Sequence, residues 1–150
     1  MRRADREISH EEAERLLAGG EYGVLSTVDK DGQPYGVPLN YVYRDGCIYF
    51  HSAPAGHKLD NIADNAKVSF CVIGATELLP AKFSTRYESV IAFGVASDAT
   101  DAERDDALLW LVEKYSPGYI AEGKKYIGSS GKDTRVVKVE IGNISGKARR

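Results

Sequence analysis

The chain has 150 residues, enough to bury a core without disulfide or metal staples, so a single domain over residues 1–150 is expected. Charged residues make up 28% of it and the formal net charge is -2, which excludes the strongly basic footprint of a nucleic-acid binder. No apolar run approaches the ~20 residues of a membrane span and the N-terminus is polar, so a soluble cytoplasmic protein is expected.

Ser9 and Glu12 match the capping box and predict a short helix through Ala13, Leu16 and Leu17. Gly19 and Gly20 should end it through the left-handed conformation that glycine tolerates. Tyr22 to Val28 alternates and reads as a strand, followed by a hairpin turn at Asp29-Lys30-Asp31-Gly32. The next strand is expected from Tyr35 to Tyr43. Its odd positions, Tyr35, Val37, Leu39, Tyr41 and Tyr43, make one large apolar face, while Gly36, Pro38 and Asn40 keep the other face small. Proline in a strand marks an edge or a bulge, and the nearby glycine lets another group approach the backbone. Protection of an ordinary edge strand against aggregation explains Pro38 equally well.

Arg44-Asp45-Gly46 turns the chain into a strand from Cys47 to His51, and both cysteines, Cys47 and Cys71, read as buried reduced thiols. A helix follows Pro54-Ala55-Gly56, with Leu59, Ile62, Ala63 and Ala66 as its apolar stripe. Lys67 to Ile73 and Glu88 to Ser97 read as strands. Thr100 and Glu103 repeat the capping box ahead of a helix striped by Leu108, Leu111, Val112 and Tyr115, with Trp110 a packing residue at its margin. Ser116-Pro117-Gly118 breaks that helix, and a short helical stretch follows around Ile120 to Ile127. Gly128-Ser129-Ser130-Gly131 reads as a mobile loop, without the Lys-Ser or Lys-Thr of a P-loop. Thr134 to Ile141 is the last strand and Ile144 to Arg150 a polar tail. Six strands in hairpins, with helices at the start, after the third strand and before the last, describe an α+β protein on a small antiparallel barrel.

The chemistry concentrates at the start of the second helix. A lysine in a first turn opposes the helix dipole unless an anion lies between, and Lys58 stands there beside His57. Ser52, Gly56 and the free amides of that turn converge on the same place, which suits a phosphate. A surface helix of mixed charge, with Asp60 offsetting Lys58, is the plainer alternative. Lys58 and Asn61, three apart, are expected to share a face. His51 closes its strand on the side of Cys47 and Tyr49, where a packed histidine is as natural as a chemical one. The spacing of the histidines and cysteines suggests no metal, and no GxSxG or helix-start cysteine suggests a nucleophile.

The blocks GVLSTVDKDGQPYGVPLNYVY, IYFHSAPAGHKLDNI, KVSFCVIG, YESVIAFGVA and ISGKARR, in this order over nearly the whole chain, resemble the split-barrel FMN-binding proteins related to pyridoxamine 5′-phosphate oxidase, above all the nitroimidazole-resistance-like branch. The resemblance implies a six-stranded antiparallel split β-barrel with peripheral helices, and a homodimer with FMN in a groove between the two copies. It places the flavin ring against the backbone of Tyr35, Gly36, Val37, Pro38 and Leu39, and the ribityl phosphate at His51, Ser52, Gly56, His57 and Lys58. It puts His51 beside cofactor and substrate as the catalytic residue, and brings Tyr87, Ser89 and Lys147 toward the flavin of the partner subunit. No arginine-rich segment of the kind that clamps pyridoxamine phosphate is found. The activity implied is an FMN-dependent, nitroreductase-like transfer of electrons from NADH or NADPH to a small planar acceptor. The alternatives are a flavin or haem carrier without turnover, and a deazaflavin-dependent reductase.

Overall fold

The computed structural model describes residues 3–130 and 133–150. Seven strands, β1 (Gly23–Val28), β2 (Pro34–Leu39), β3 (Val42–Arg44), β4 (Cys47–Ser52), β5 (Lys67–Leu79), β6 (Ser84–Asp98) and β7 (Arg135–Arg149), form one antiparallel sheet in the order β2-β1-β5-β6-β7-β4-β3. Four helices lie around it: α1 (His10–Gly19), α2 (His57–Asp64), α3 (Asp101–Tyr115) and α4 (Ile120–Ser130). The α+β class is as expected, but the strand count is seven in one open sheet, not six.

The extra strand comes from a break inside the expected strand Tyr35 to Tyr43. Its first half pairs with β1 at one edge of the sheet and its second half pairs with β4 at the other. Only Asn40 and Tyr41 join them, so the sheet is rolled until its two edges meet without closing. A break in a sheet leaves peptide groups without ladder partners, and these must be met some other way. Here α3 supplies the partners. The Tyr115 hydroxyl accepts from the Tyr41 amide at 3.0 Å, and Lys114 Nζ donates to the Tyr41 carbonyl at 3.0 Å. The Tyr41 ring is fully buried against Phe70, and its hydroxyl donates to the Leu17 carbonyl. These partners stand 24 to 74 residues away, out of reach of any local pattern.

The main core fills the inside of the rolled sheet with Leu25, Ile48, Phe50, Phe70, Val72 and Val90, and α1 is laid across it through Ala13 and Leu17. A second, smaller cluster lies on the opposite face of β4, where Cys47, Tyr49 and Val136 pack under Ala107, Leu108 and Leu111 of α3. β4 is thus covered on both faces, and its inner side chains (Ile48, Phe50, Ser52) and outer ones (Cys47, Tyr49, His51) have different neighbours. Trp110 packs edge-on to Tyr49 with Arg44 over its ring. Both cysteines are free thiols, Cys47 buried and Cys71 half-buried, and burial pushes both thiols above their ordinary pKa.

Several local expectations are corrected. Ile144 to Arg150 is no tail: β7 runs on to Arg149 and pairs with β6 as far as Tyr87. Gly128, Ser129 and Ser130 are helical, continuing α4, while Gly131 lies outside the described residues. Gly20 does follow α1, but in extended backbone with φ -65. Its small size matters instead, since a Cβ there would lie 2.4 Å from Val72 Cγ1 and 2.7 Å from the Tyr41 hydroxyl. The two capping boxes and the Asp29 to Gly32 turn, with Gly32 at φ 85, form as read from the sequence. No helix among the described residues is long and apolar enough to cross a membrane.

Candidate functional site

α2 begins without a side-chain cap. Gly56 occupies the N-cap position with φ 157 and has no side-chain oxygen for the first-turn amides; its carbonyl accepts from Leu59 and Asp60. The amides of His57 and Lys58 therefore have no helical acceptor. Lys58 is half-buried and makes no ion pair among the described residues. The His57 ring stands edge-on to Tyr35 with centroids 4.6 Å apart, which ties the start of α2 to the start of β2.

Ser52, on the inner face of β4, is 5% exposed, and its Oγ has no hydrogen-bond partner among the described residues. A hydroxyl buried without a partner costs about 1–3 kcal/mol. Uncapped amides, an unpaired lysine and an unsatisfied hydroxyl within residues 52–58 form a donor set suited to a phosphate. Asn61 is buried, and its Nδ2 donates to Thr27 Oγ1 at 3.0 Å. Asn61 takes the inward place expected of Ala63, which is exposed.

β2 is an edge strand. Tyr35, Val37 and Leu39 lean inward, half-buried, while Gly36 and Pro38 face out. Register aligns Gly36 and Pro38 with Ser26 and Val24 of β1, and those with Ser69 and Cys71 of β5. The outer face is therefore lined by small side chains at this end. From Tyr35 to Asn40 the strand spans about 17 Å at the ordinary rise per residue.

His51 lies at the far end of this seam. It is exposed and joins Asn40 at the mouth of a pocket of about 230 Å³ between β4, α3 and α4. The structure thus brings Tyr35 to Leu39, His51 and the Ser52 to Lys58 stretch to one seam of the sheet. Tyr87, Ser89 and Lys147 are placed elsewhere. Tyr87 and Ser89 sit on β6, three strands from β2 and about 15 Å along the sheet at the usual strand spacing, with Lys147 beside Ser89 on β7, one strand further. Lys147, and after it Arg6, hold the Tyr87 phenol below its ordinary pKa by hydrogen bonding. Arg6 has no signal in the sequence, because it arrives through the bridge that pairs Glu7 with Lys147.

Between these two groups the outer face of the sheet turns apolar. Ile73 of β5 and Ile91, Phe93 and Val95 of β6 are 41–63% exposed. The hairpin that joins β5 to β6 carries Leu78 and Phe83, 77% and 98% exposed. Exposed apolar side chains gathered on one face are the kind of surface that interaction sites carry.

The family model described as pyridoxamine 5′-phosphate oxidase matches residues 9–148. Among solved structures, an FAD-binding protein from Mesorhizobium loti is 26% identical with a TM-score of 0.73, covering 97% of this chain and 98% of its own. A protein assigned to 5-nitroimidazole antibiotic resistance, from Bacteroides thetaiotaomicron VPI-5482, is 23% identical with a TM-score of 0.76, covering 95% and 86%. The FAD and haem binding protein from Mycobacterium smegmatis is 22% identical with a TM-score of 0.80, covering 97% and 74%. The last two likenesses establish a shared fold.

Proposed function

Because the chain belongs to the pyridoxamine 5′-phosphate oxidase family, we propose that it binds FMN and passes electrons from a nicotinamide donor to a small planar acceptor, working as a homodimer. The observation that carries this reading is the buried, unpartnered Ser52 hydroxyl beside a helix start with no cap of its own. The Ser52 hydroxyl and the amides of His57 and Lys58 donate to the ribityl phosphate, Gly56 keeps the approach clear, and Lys58 neutralises its charge. The backbone of Tyr35, Gly36, Val37, Pro38 and Leu39 faces the ring, since an edge strand has peptide groups that no neighbouring strand uses. His51 orients the acceptor or hands it a proton. A bound flavin supplies the redox chemistry, taking two electrons from NADH or NADPH and giving two to the acceptor.

The apolar outer face suits a second copy of the chain, which brings its own Tyr87, Ser89 and Lys147 to the flavin. Titration of flavin-free protein with FMN and with FAD, followed by flavin fluorescence, tests the reading at its base. Tighter binding of FMN is expected, and binding of neither overturns it. Steady-state oxidation of NADH and NADPH by the loaded protein then separates reductase from carrier, because a carrier turns over with no donor and no acceptor. In analytical ultracentrifugation the protein should sediment as a dimer, and Phe93→Glu should sediment as a monomer with weakened FMN binding.

A further inference from the structure

Among the described residues, the polar side chains enclosed by the core are Thr27, Ser52 and Asn61. They are gathered around α2: Ser52 ends β4 just ahead of it, Asn61 lies within it, and Thr27 stands on β1 where it lands. Ser52 belongs to the phosphate site proposed above, and the other two have no part in it. Asn61 is 2% exposed and Thr27 4%. Their contact has a direction. Asn61 Nδ2 donates to Thr27 Oγ1 at 3.0 Å, and that hydroxyl donates in turn to the Tyr35 carbonyl over a long 3.5 Å. Thr27 also faces Tyr35 across the β1–β2 ladder, and the Tyr35 ring meets the His57 ring edge-on. Asn61 thus ties α2 to β1, and His57 ties it to β2.

A hydrogen-bonded pair in a core adds little stability, since replacing both partners by apolar groups of the same shape is close to neutral or better. What it adds is position. Apolar contacts keep a core stable while leaving its elements free to shift, whereas a satisfied buried hydrogen bond holds at one distance and angle. The position at stake here is that of α2 against β2. In the proposed flavin site the start of α2 meets the phosphate and the backbone of β2 faces the ring, so one ligand spans both elements. Two linked contacts reinforce each other only where their spacing fits the ligand. Resting on that reading, we infer that Asn61 and Thr27 are positioning residues: they set the distance between the phosphate cradle and the ring wall, and so make the protein prefer a flavin with a phosphate on its ribityl chain over one without. Both lie inside the core and act through the helix and the strand that they join.

The test compares FMN with riboflavin, which lacks the phosphate, by flavin fluorescence in the parent protein and in Thr27→Val/Asn61→Leu, whose side chains branch as the originals do but form no hydrogen bond. The melting temperature of the flavin-free double variant should equal or exceed that of the parent. Riboflavin affinity should change less than about twofold while FMN affinity falls about tenfold or more, so the preference for FMN shrinks. In flavin-free isotope-labelled protein, the nuclear Overhauser contacts between the His57 and Tyr35 rings should weaken, because α2 no longer keeps one seat. Should the double variant fail to fold, Thr27→Val and Thr27→Ser carry the comparison: the valine should lose the preference for FMN and the serine, which keeps the hydroxyl, should retain it. An undiminished preference in the variants without the hydrogen bond, an equal loss for both flavins, or ring contacts as strong as in the parent overturns the inference. Parent protein that binds neither flavin overturns the flavin reading and this inference with it, whereas parent and variant that prefer FMN equally overturn this inference alone.

Discussion

At the start of α3, the Thr100 hydroxyl accepts from the Glu103 amide at 3.3 Å, and the Glu103 carboxylate accepts from the Thr100 amide at 3.0 Å. Lys138 then reaches the same carboxylate at 2.6 Å. At the start of α2, Gly56 offers no side chain, Lys58 has no carboxylate, and the Ser52 hydroxyl is buried without an acceptor. One terminus is closed by the protein's own groups, as is that of α1 through Ser9 and Glu12. The other has no side-chain cap. Two capped helix starts in one small fold show that the chain has the means to cap a helix, and the uncapped third is what the proposed phosphate site rests on.

Substitutions at the two termini should therefore act on different quantities. The largest effect on binding is expected from Lys58→Ala, which removes a charge-assisted contact of about 1.5–3 kcal/mol and should weaken FMN roughly 10- to 100-fold, with little change in melting temperature. A fluorescence titration showing unchanged affinity would detach Lys58 from the site. Ser52→Ala carries a sharper signature, since its two effects have opposite signs. The flavin-free protein should be as stable as the parent or more so, because an unmet buried hydroxyl is gone, while FMN binding weakens about tenfold. Loss of stability in the flavin-free variant would mean that Ser52 has a structural partner.

Thr100→Ala should do the reverse. Losing an N-cap costs about 1 kcal/mol, seen as a lower melting temperature, and FMN affinity should hold. The smallest effect is on acid stability. Lys138 and then the Thr100 amide hold the Glu103 carboxyl below its ordinary 4.5. The folded state thus favours the ionised form. That contribution is present above the ordinary value and is lost as pH falls from 4.5 through the folded value, where the unfolded chain takes up the proton first. Glu103→Gln should flatten the decline of melting temperature with acid in that window. An unchanged slope would show that the pair is too well solvated to matter.

The same contrast bears on what could be read in advance. The capping boxes at Ser9 and Thr100 are visible because each is a contact between residues three apart, and a local rule covers them. The reading of residues 52–58 as a phosphate site came from the same kind of local rule, a lysine where the dipole disfavours one. The burial of Asn61 has no local signal because it depends on Thr27, 34 residues away. The break at Asn40 and Tyr41 was hidden inside a strong alternating pattern. The pattern describes side-chain faces well, but it carries nothing about where the two halves find ladder partners.

Local sequence determined the hairpins, the helix starts, the apolar faces and the uncapped turn at Gly56, because each depends on neighbours within a few residues. Tertiary structure decided the rest. It sent β2 and β3 to opposite edges of one sheet, since Tyr41 gains a buried ring contact and new partners from α3 that a continuous strand would forgo. It extended β7 through Arg149, because β6 lies alongside to pair with it. It set Tyr87 on β6 three strands from β2 and Lys147 on β7 four, with apolar side chains exposed on β5 and β6. The donors proposed to meet the phosphate lie within one short segment, residues 52–58, and that much one segment of sequence can specify. What surrounds it depends on which strands the sheet brings together.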